Sequence, residues 1–309
     1  MSTSVLSFIQ AQFVRYGMAI ILVFGCFGNV YAVFFFIRQR KNVCALFLLS
    51  AAFMNILYLI FNIPINVYSY EFGDPSRYSM TLCKLRYYIF HVWGQMSRYF
   101  ILLACIDRYA LTHMSANIRL LIGPRLARRL IVIVTLFWHV FPLHILIMTT
   151  IKNGQCGYFD LYYILNSIYM LIFVCLVPPI SMSVFGYLAF RNMHRLHTRV
   201  QPSSPGMTND AIAIHRQDQN LLRMVLAEVI MYLMTMSIYP VIICELAVTN
   251  AIGMNKSLQQ TQIESFILFM AQFLIYINTS APFYTYMTVS KTFRHDFKET
   301  LRLCIRRTP

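Results

Sequence analysis

The sequence predicts an all-α membrane protein: a seven-transmembrane helix bundle followed by a short cytoplasmic amphipathic helix. Three observations carry that prediction. First, 58% of the 309 residues are hydrophobic and 12% are charged, against roughly 25% charged in soluble domains, too little polar surface to cover a water-soluble globule. Second, seven stretches are long and apolar enough to cross a bilayer, which takes about 20 residues of helix. Third, the basic residues behind the net charge of +15 collect in alternate loops between those stretches. In a soluble protein such a charge would suggest nucleic acid. Here the cationic bias of cytoplasmic loops accounts for it, and no nucleic-acid partner is expected.

The spans fall at roughly 13–37, 44–68, 82–112, 126–150, 161–190, 219–248 and 262–288. The first run is too long for a signal-peptide core and lacks a clear cleavage site, so it reads as a span that doubles as signal anchor. Arg38, Arg40 and Lys41 follow the first span, and Arg119 to Arg129 follow the third. Arg191, Arg195, Arg199, Arg216 and Arg223 flank the fifth and sixth, and Lys291, Arg294, Lys298, Arg302, Arg306 and Arg307 follow the seventh. By the positive-inside rule the N-terminus is extracellular and the C-terminus cytoplasmic, a parity that seven spans satisfy. Gln201–Ala213, with Pro202, Ser203, Ser204, Pro205 and Gly206, is expected to be a flexible loop. The chain therefore divides into a spanning domain over 1–288 and a cytoplasmic helix and tail over 289–309. No internal repeat is evident, which argues against an inverted-repeat transporter.

Asp107-Arg108-Tyr109 closes the third span, where the apolar stretch Tyr87–Cys105 meets a basic loop. An Asp-Arg pair is costly in or near a bilayer and marks a functional position. Around it runs an ordered set of positions. Gly28-Asn29-Val30 lies in span one, Ala52 through Asn55 in span two, and Cys83 opens span three. Trp138 lies in span four, Pro179 and Tyr187 in span five, Pro240 in span six, and Tyr286 followed by Phe293 ends span seven. In order and spacing these residues resemble the class A (rhodopsin-like) G-protein-coupled receptors over nearly the whole chain. Three positions depart from that pattern. Asn55 replaces a span-two aspartate, Ile238 stands where a tryptophan is typical, and Pro282-Phe283-Tyr284-Thr285-Tyr286 displaces the proline of Asn-Pro-x-x-Tyr by one residue.

The resemblance implies a plasma-membrane receptor for an extracellular ligand, coupled to a heterotrimeric G protein, with no enzymatic activity, no cofactor and no metal. It implies a disulfide between Cys83 and Cys156, both on the expected oxidising side. It implies a switch built from Asp107, Arg108, Tyr109, Tyr187 and Tyr286, in which Arg108 leaves Asp107 when a partner docks from the cytoplasm. Asn220 occupies the place of the family's acidic partner on span six, so weak restraint of the inactive state is expected. Asn29, Asn55, Ser97, Asn278 and Thr279 are expected to converge in the bundle. Without the usual carboxylate they read as interhelical hydrogen bonding rather than a sodium site.

Ligand-facing candidates are Phe90, His91, Gly94, Gln95, Glu245 and Gln272, with the loop around Cys156. Span seven has no lysine for a retinal linkage, and Phe90 stands where monoamine receptors place an aspartate, so neither ligand is expected. Glu71, Asp74, Asp160, Glu245 and Glu264 suggest steering of a cationic peptide. Arg98, near mid-membrane, has Glu228, polar groups such as Gln95, or a trapped anion as candidate partners. Cys304, after Phe293, Phe297 and Leu301, is a lipidation candidate that would add to contacts with membrane lipids, and Asn255-Lys256-Ser257 is a glycosylation sequon. The rival readings are a non-signalling seven-helix receptor or scaffold and, further off, a membrane transporter.

Overall fold

The computed structural model describes residues 3–119, 122–199, 209–254 and 256–307. Among the described residues, seven helices are long and apolar enough to span a membrane: α1 (Val5–Arg38), α2 (Val43–Phe72), α3 (Met80–Thr112), α4 (Pro124–Met148), α5 (Asp160–Arg195), α6 (Gln217–Ala251) and α7 (Leu258–Ser280). Two further helices follow, α8 (Pro282–Val289) and α9 (Lys291–Arg307). A two-stranded antiparallel hairpin, β1 (Thr150–Lys152) and β2 (Gln155–Gly157), bridges α4 and α5.

The helices close into a ring around α3, which packs against α2, α4, α5 and α6, while α7 returns to α1 and α2. At 33 residues, α3 is about 50 Å long at 1.5 Å per residue. The outward faces carry Phe24, Phe27, Phe34, Ile133, Leu136, Val140, Ile180 and Val184, all exposed. Such a surface suits lipid, which satisfies apolar side chains as well as a protein core does. Association must then come from close packing and buried hydrogen bonds. Gly28 supplies one close approach: a Cβ there would lie 2.7 Å from the Phe283 Cβ, so α1 and α8 touch only because that atom is missing.

Sequence chemistry sets where the helices begin and bend. Asn42 caps α2 by accepting from the Cys44 N–H at 3.0 Å, Ser79 caps α3, and Ser257 with Gln260 forms a capping box that starts α7 at Leu258, one turn before the expected boundary. Pro178 and Pro179 cannot donate backbone hydrogen bonds, and the α5 ladder widens into a π turn over Leu171–Leu176 just ahead of them. Pro240 deprives α6 of a bond one turn earlier, and the helix breaks at Ser237. The seventh span, expected as one helix to 288, is interrupted at Ala281 because Pro282 has no N–H to continue it. Likewise Phe141-Pro142 interrupts α4, and the chain is already a strand at Thr150. Of the expected loop Gln201–Ala213, residues 201–208 lie outside the described residues and 209–213 are helical, leading into α6. Asn255 also lies outside the described residues, as does the side chain of Cys304.

After α7 the chain folds back under the bundle. Phe293 is fully buried against Tyr31, Phe35 and Tyr286, and Asp296 accepts from Tyr31 Oη at 2.7 Å and Arg38 Nη1 at 3.0 Å. Leu301, on the same stretch, is exposed.

At the opposite end, the disulfide between Cys83 and Cys156 staples the start of α3 to β2. Asp74, in the α2–α3 connection, accepts from Ser76 and from Arg86 Nη1 at 2.7 Å. Burial alone would push the Asp74 carboxyl up. The Ser76 bonds and the Arg86 guanidinium outweigh that and hold it below its ordinary value of 3.8.

The cystines lie 73 residues apart, a loop whose closure is worth about 4 kcal/mol in the chain-entropy account. Cys156→Ser is expected to lower stability by about 2–4 kcal/mol, read as a drop in Tm that reductant reproduces in the wild type and not in the variant. Because the folded-state pKa of Asp74 is depressed, its contribution is present above the unfolded value and lost as pH falls through the folded one. Asp74→Asn should therefore lower Tm at neutral pH, with a deficit that shrinks below about pH 4. A constant deficit would mean that Asp74 acts by packing alone.

Candidate functional site

The first constellation lies where α2 begins, α3 ends and α6 begins. Arg108 is 2% exposed, and a guanidinium that far from water must have all its donors met. Its Nε donates to Asp107 Oδ2 at 2.9 Å and its Nη2 to the same oxygen at 2.5 Å. Nη1 reaches across to Asp218 Oδ1 on α6 at 2.9 Å, and Nη2 also donates to Asn42 Oδ1 at 3.3 Å. Asn42 Nδ2 in turn donates to Asp218 Oδ1 at 3.0 Å, so one asparagine caps α2 and joins both sides of the ion pair. Gln217 Nε2 adds a bond to Gln39 Oε1 at 3.0 Å.

This corrects the expectation of an absent acid on the sixth span. Asp218 supplies it, two residues before the position where Asn220 stands, and Asn220 instead donates to Thr292 Oγ1. Arg108 is thus bonded to two carboxylates, Asp107 and Asp218. Asn42 and Asp218 were missed by sequence reasoning. The signals were an Asn directly ahead of an apolar run, which is a cap signature, and an acid at the mouth of span six.

The other residues expected in the switch are divided. Tyr286, 2% exposed, donates to Glu228 Oε2 on α6 at 2.6 Å, a link between α6 and α8. Tyr109 packs against Phe185 and His113 instead of Arg108. Tyr187 is 63% exposed on the outer face of α5 and is not brought to the cluster, because the turn of α5 points it away from the bundle axis.

Midway along the bundle, Ser97 Oγ donates to Asn55 Oδ1 at 2.6 Å, and Asn55 Nδ2 to Asn29 Oδ1 at 3.1 Å. Asn29 Nδ2 donates to the carbonyls of Gly25 and Thr279, at 2.8 and 3.0 Å. Four helices are thereby stitched by neutral groups, each bond worth about 0.6 kcal/mol on average inside a membrane. Thr279 takes part through its carbonyl, while its hydroxyl donates to Ile275 within α7. Asn278 contributes no side-chain bond to this chain.

The second constellation is a cavity of about 440 Å³ at the disulfide end, within the 300–1,000 Å³ typical of small-molecule sites. A polar wall is built by Arg86, whose Nη1 donates to Asp74 and whose Nη2 donates to Asn66 Oδ1 at 2.8 Å. Asn66 Nδ2 continues the chain to Tyr276 Oη at 2.6 Å. Asn166, 4% exposed, lines the cavity with an Oδ1 that lacks a protein partner. Tyr87, Phe90, Tyr158, Tyr239 and Tyr276 supply aromatic walls, and β2 with Cys156 closes one side.

Among the expected ligand-facing residues, Phe90 and Gln272 line this cavity. His91 does not: it is turned about 100° from Phe90 and lies with its Nε2 2.7 Å from Tyr169 Oη, beside Trp138. Gln95 is fully buried beneath, with neither amide atom partnered. The Glu245 side chain is 40% exposed and paired with Lys256, and it does not line the cavity. The five carboxylates expected to steer a cationic peptide are all paired: Glu71 with Arg15, Asp74 with Arg86, Asp160 with Lys152, and Glu245 and Glu264 with Lys256. Each acid has a cation beside it, so their combined field on an approaching cation is much reduced.

Residues 28–281 match the 7 transmembrane receptor (rhodopsin family). No curated protein matches the chain. The family match covers most of the chain and runs from the Gly28-Asn29 step to the α7 break, through both constellations and the disulfide. The chain belongs to the rhodopsin family of seven-transmembrane receptors.

Proposed function

We propose that this receptor takes up an extracellular ligand in the 440 Å³ cavity and signals to a heterotrimeric G protein at the Arg108 end. The carrying observation is the tie between Arg108 and Asp218, which joins α3 to α6 through one breakable ion pair. In this reading the N-terminus and the cavity face the outside, and the Arg108 end faces the cytoplasm, in keeping with the basic residues that follow α1, α3 and α7. A ligand against Tyr239 and Ile243 touches the α6 half beyond the break at Ser237. If it favours a different setting of that half, the bend carries the change to Asp218. Arg108 then exchanges Asp218 for a partner helix entering the opened groove. Arg119, Arg125, Arg128 and Arg129 would border that groove and meet acidic lipid headgroups.

A peptide ligand fits by its end. The cavity offers amides, tyrosines and the single Asp74–Arg86 pair, so hydrogen bonding and aromatic contact would select it in place of long-range charge. The same walls suit a small aromatic molecule. Ile238 and the displaced Pro282 would suit a non-signalling scaffold, but a buried tie between α3 and α6 favours a molecule that switches.

Asp218→Ala is expected to raise ligand-independent nucleotide exchange on G proteins in reconstituted membranes by about tenfold, the shift that about 1.4 kcal/mol of lost restraint gives. Arg108→Ala placed on top of Asp218→Ala should return exchange to the empty-membrane level while the protein remains folded by Tm. Wild-type levels of exchange in Asp218→Ala, or undiminished exchange in the double variant, would overturn the reading.

A further inference from the structure

Arg86, Phe90, Gly94 and Arg98 recur every four residues along α3 and form one stripe down its face. The first two line the cavity, and Arg98 lies about 12 Å below Phe90 along the helix. Arg98 is half-buried in the middle of a membrane span, where a charge requires a partner. It makes no hydrogen bond or ion pair with any described residue. Glu228 is committed to Tyr286, and the acids of the Arg108 cluster sit about 15 Å away along α3.

The surroundings are built to meet an anion. Gln95, one turn above and on an adjoining face, is fully buried with neither its Nε2 nor its Oε1 partnered. Residues three apart on a helix have Cβ atoms about 5–6 Å apart, so Gln95 and Arg98 are neighbours on the surface of α3. The Tyr58 hydroxyl, on α2, is likewise buried and unpartnered. Gly94 adjoins both Tyr58 and Arg98: a Cβ there would lie 3.2 Å from Tyr58 Cε2 and 3.9 Å from Arg98 Nη1. Above, the Tyr58 ring packs on Phe90 and Tyr276, which form part of the cavity wall.

We propose that Arg98, Gln95 and Tyr58 form an intramembrane site for a single monovalent anionic group, one aromatic layer beneath the ligand cavity. One fixed positive charge calls for one negative charge, and the amide N–H and phenol O–H add donors of the kind that hold an anion out of water. The group is a chloride ion from solution or the carboxylate of a ligand that reaches down past Phe90 and Tyr276. The site stands on its own geometry and does not require that the receptor couple to a G protein.

Thermal unfolding of the purified chain in detergent, followed by tryptophan fluorescence, tests this. Sodium chloride and sodium acetate are each titrated against sodium gluconate, whose bulk excludes it, at fixed ionic strength. A saturating rise in Tm with chloride assigns the site to a halide, and a rise with acetate alone assigns it to a carboxylate. Arg98→Gln should abolish the dependence, and Gln95→Leu should shift its midpoint by about tenfold, the loss of one charge-assisted hydrogen bond. If Arg98→Gln does not fold, Gln95→Leu and Gly94→Ala, which places a Cβ beside Tyr58 and Arg98, carry the test. A wild-type Tm indifferent to both anions overturns the proposal, as does an anion effect that these variants leave unchanged.

Discussion

A guanidinium taken almost wholly out of water dictates how one end of this molecule is assembled. Desolvating such a charge costs several kcal/mol even after relaxation, and only close oxygen partners offset it. Asp107 is adjacent on α3, but one carboxylate leaves donors over. Asp218 and Asn42 take two more of them, and these bonds join the N-terminal part of α6 and the cap of α2 to the end of α3. The two carboxylates and the capping asparagine make the arrangement specific, and breaking any one contact leaves the others undersatisfied. A tie of that kind has discrete states, which a switch needs.

Between this end and the cavity, the helices that would transmit a change are the broken ones. α6 is interrupted at Ser237 ahead of Pro240, and the α7–α8 segment at Ala281 ahead of Pro282. Missing backbone bonds at these points allow the two halves of a helix to move unequally. By contrast, Asn29, Asn55 and Ser97 bind α1, α2 and α3 to each other and to the Thr279 carbonyl with amides bonded through both nitrogen and oxygen, a fixed frame for the movable parts. The link from Tyr286 to Glu228 couples the two broken elements to each other.

The stripe on α3 adds a third layer between the two ends. Its cavity portion is neutralised locally by Asp74 on Arg86, whereas half-buried Arg98 has no ion-pair partner among the described residues. The two arginines share one helix face yet have opposite environments. Only Arg86 lies near a loop, where a carboxylate can be placed without crossing the apolar layer.

The sequence alone determined the seven spans, the class of fold and the family resemblance, because bilayer thickness and backbone satisfaction leave few choices for so apolar a chain. It also singled out Arg108 and the intramembrane oddity of Arg98, since a charge in an apolar run is conspicuous without any coordinates. Boundaries erred by a turn at Ser257 and by about two turns at Pro282, where capping and proline chemistry act over single residues. What only the tertiary structure decided is which groups meet across helices. Asp218, not Asn220, reaches Arg108; Tyr187 faces outward; His91 and Gln95 turn away from the cavity that Phe90 lines. Each of these depends on the rotation of one helix against another. A shift of one residue swings a side chain by about 100°, and that angle is fixed by packing among many side chains at once rather than by any local pattern along the chain.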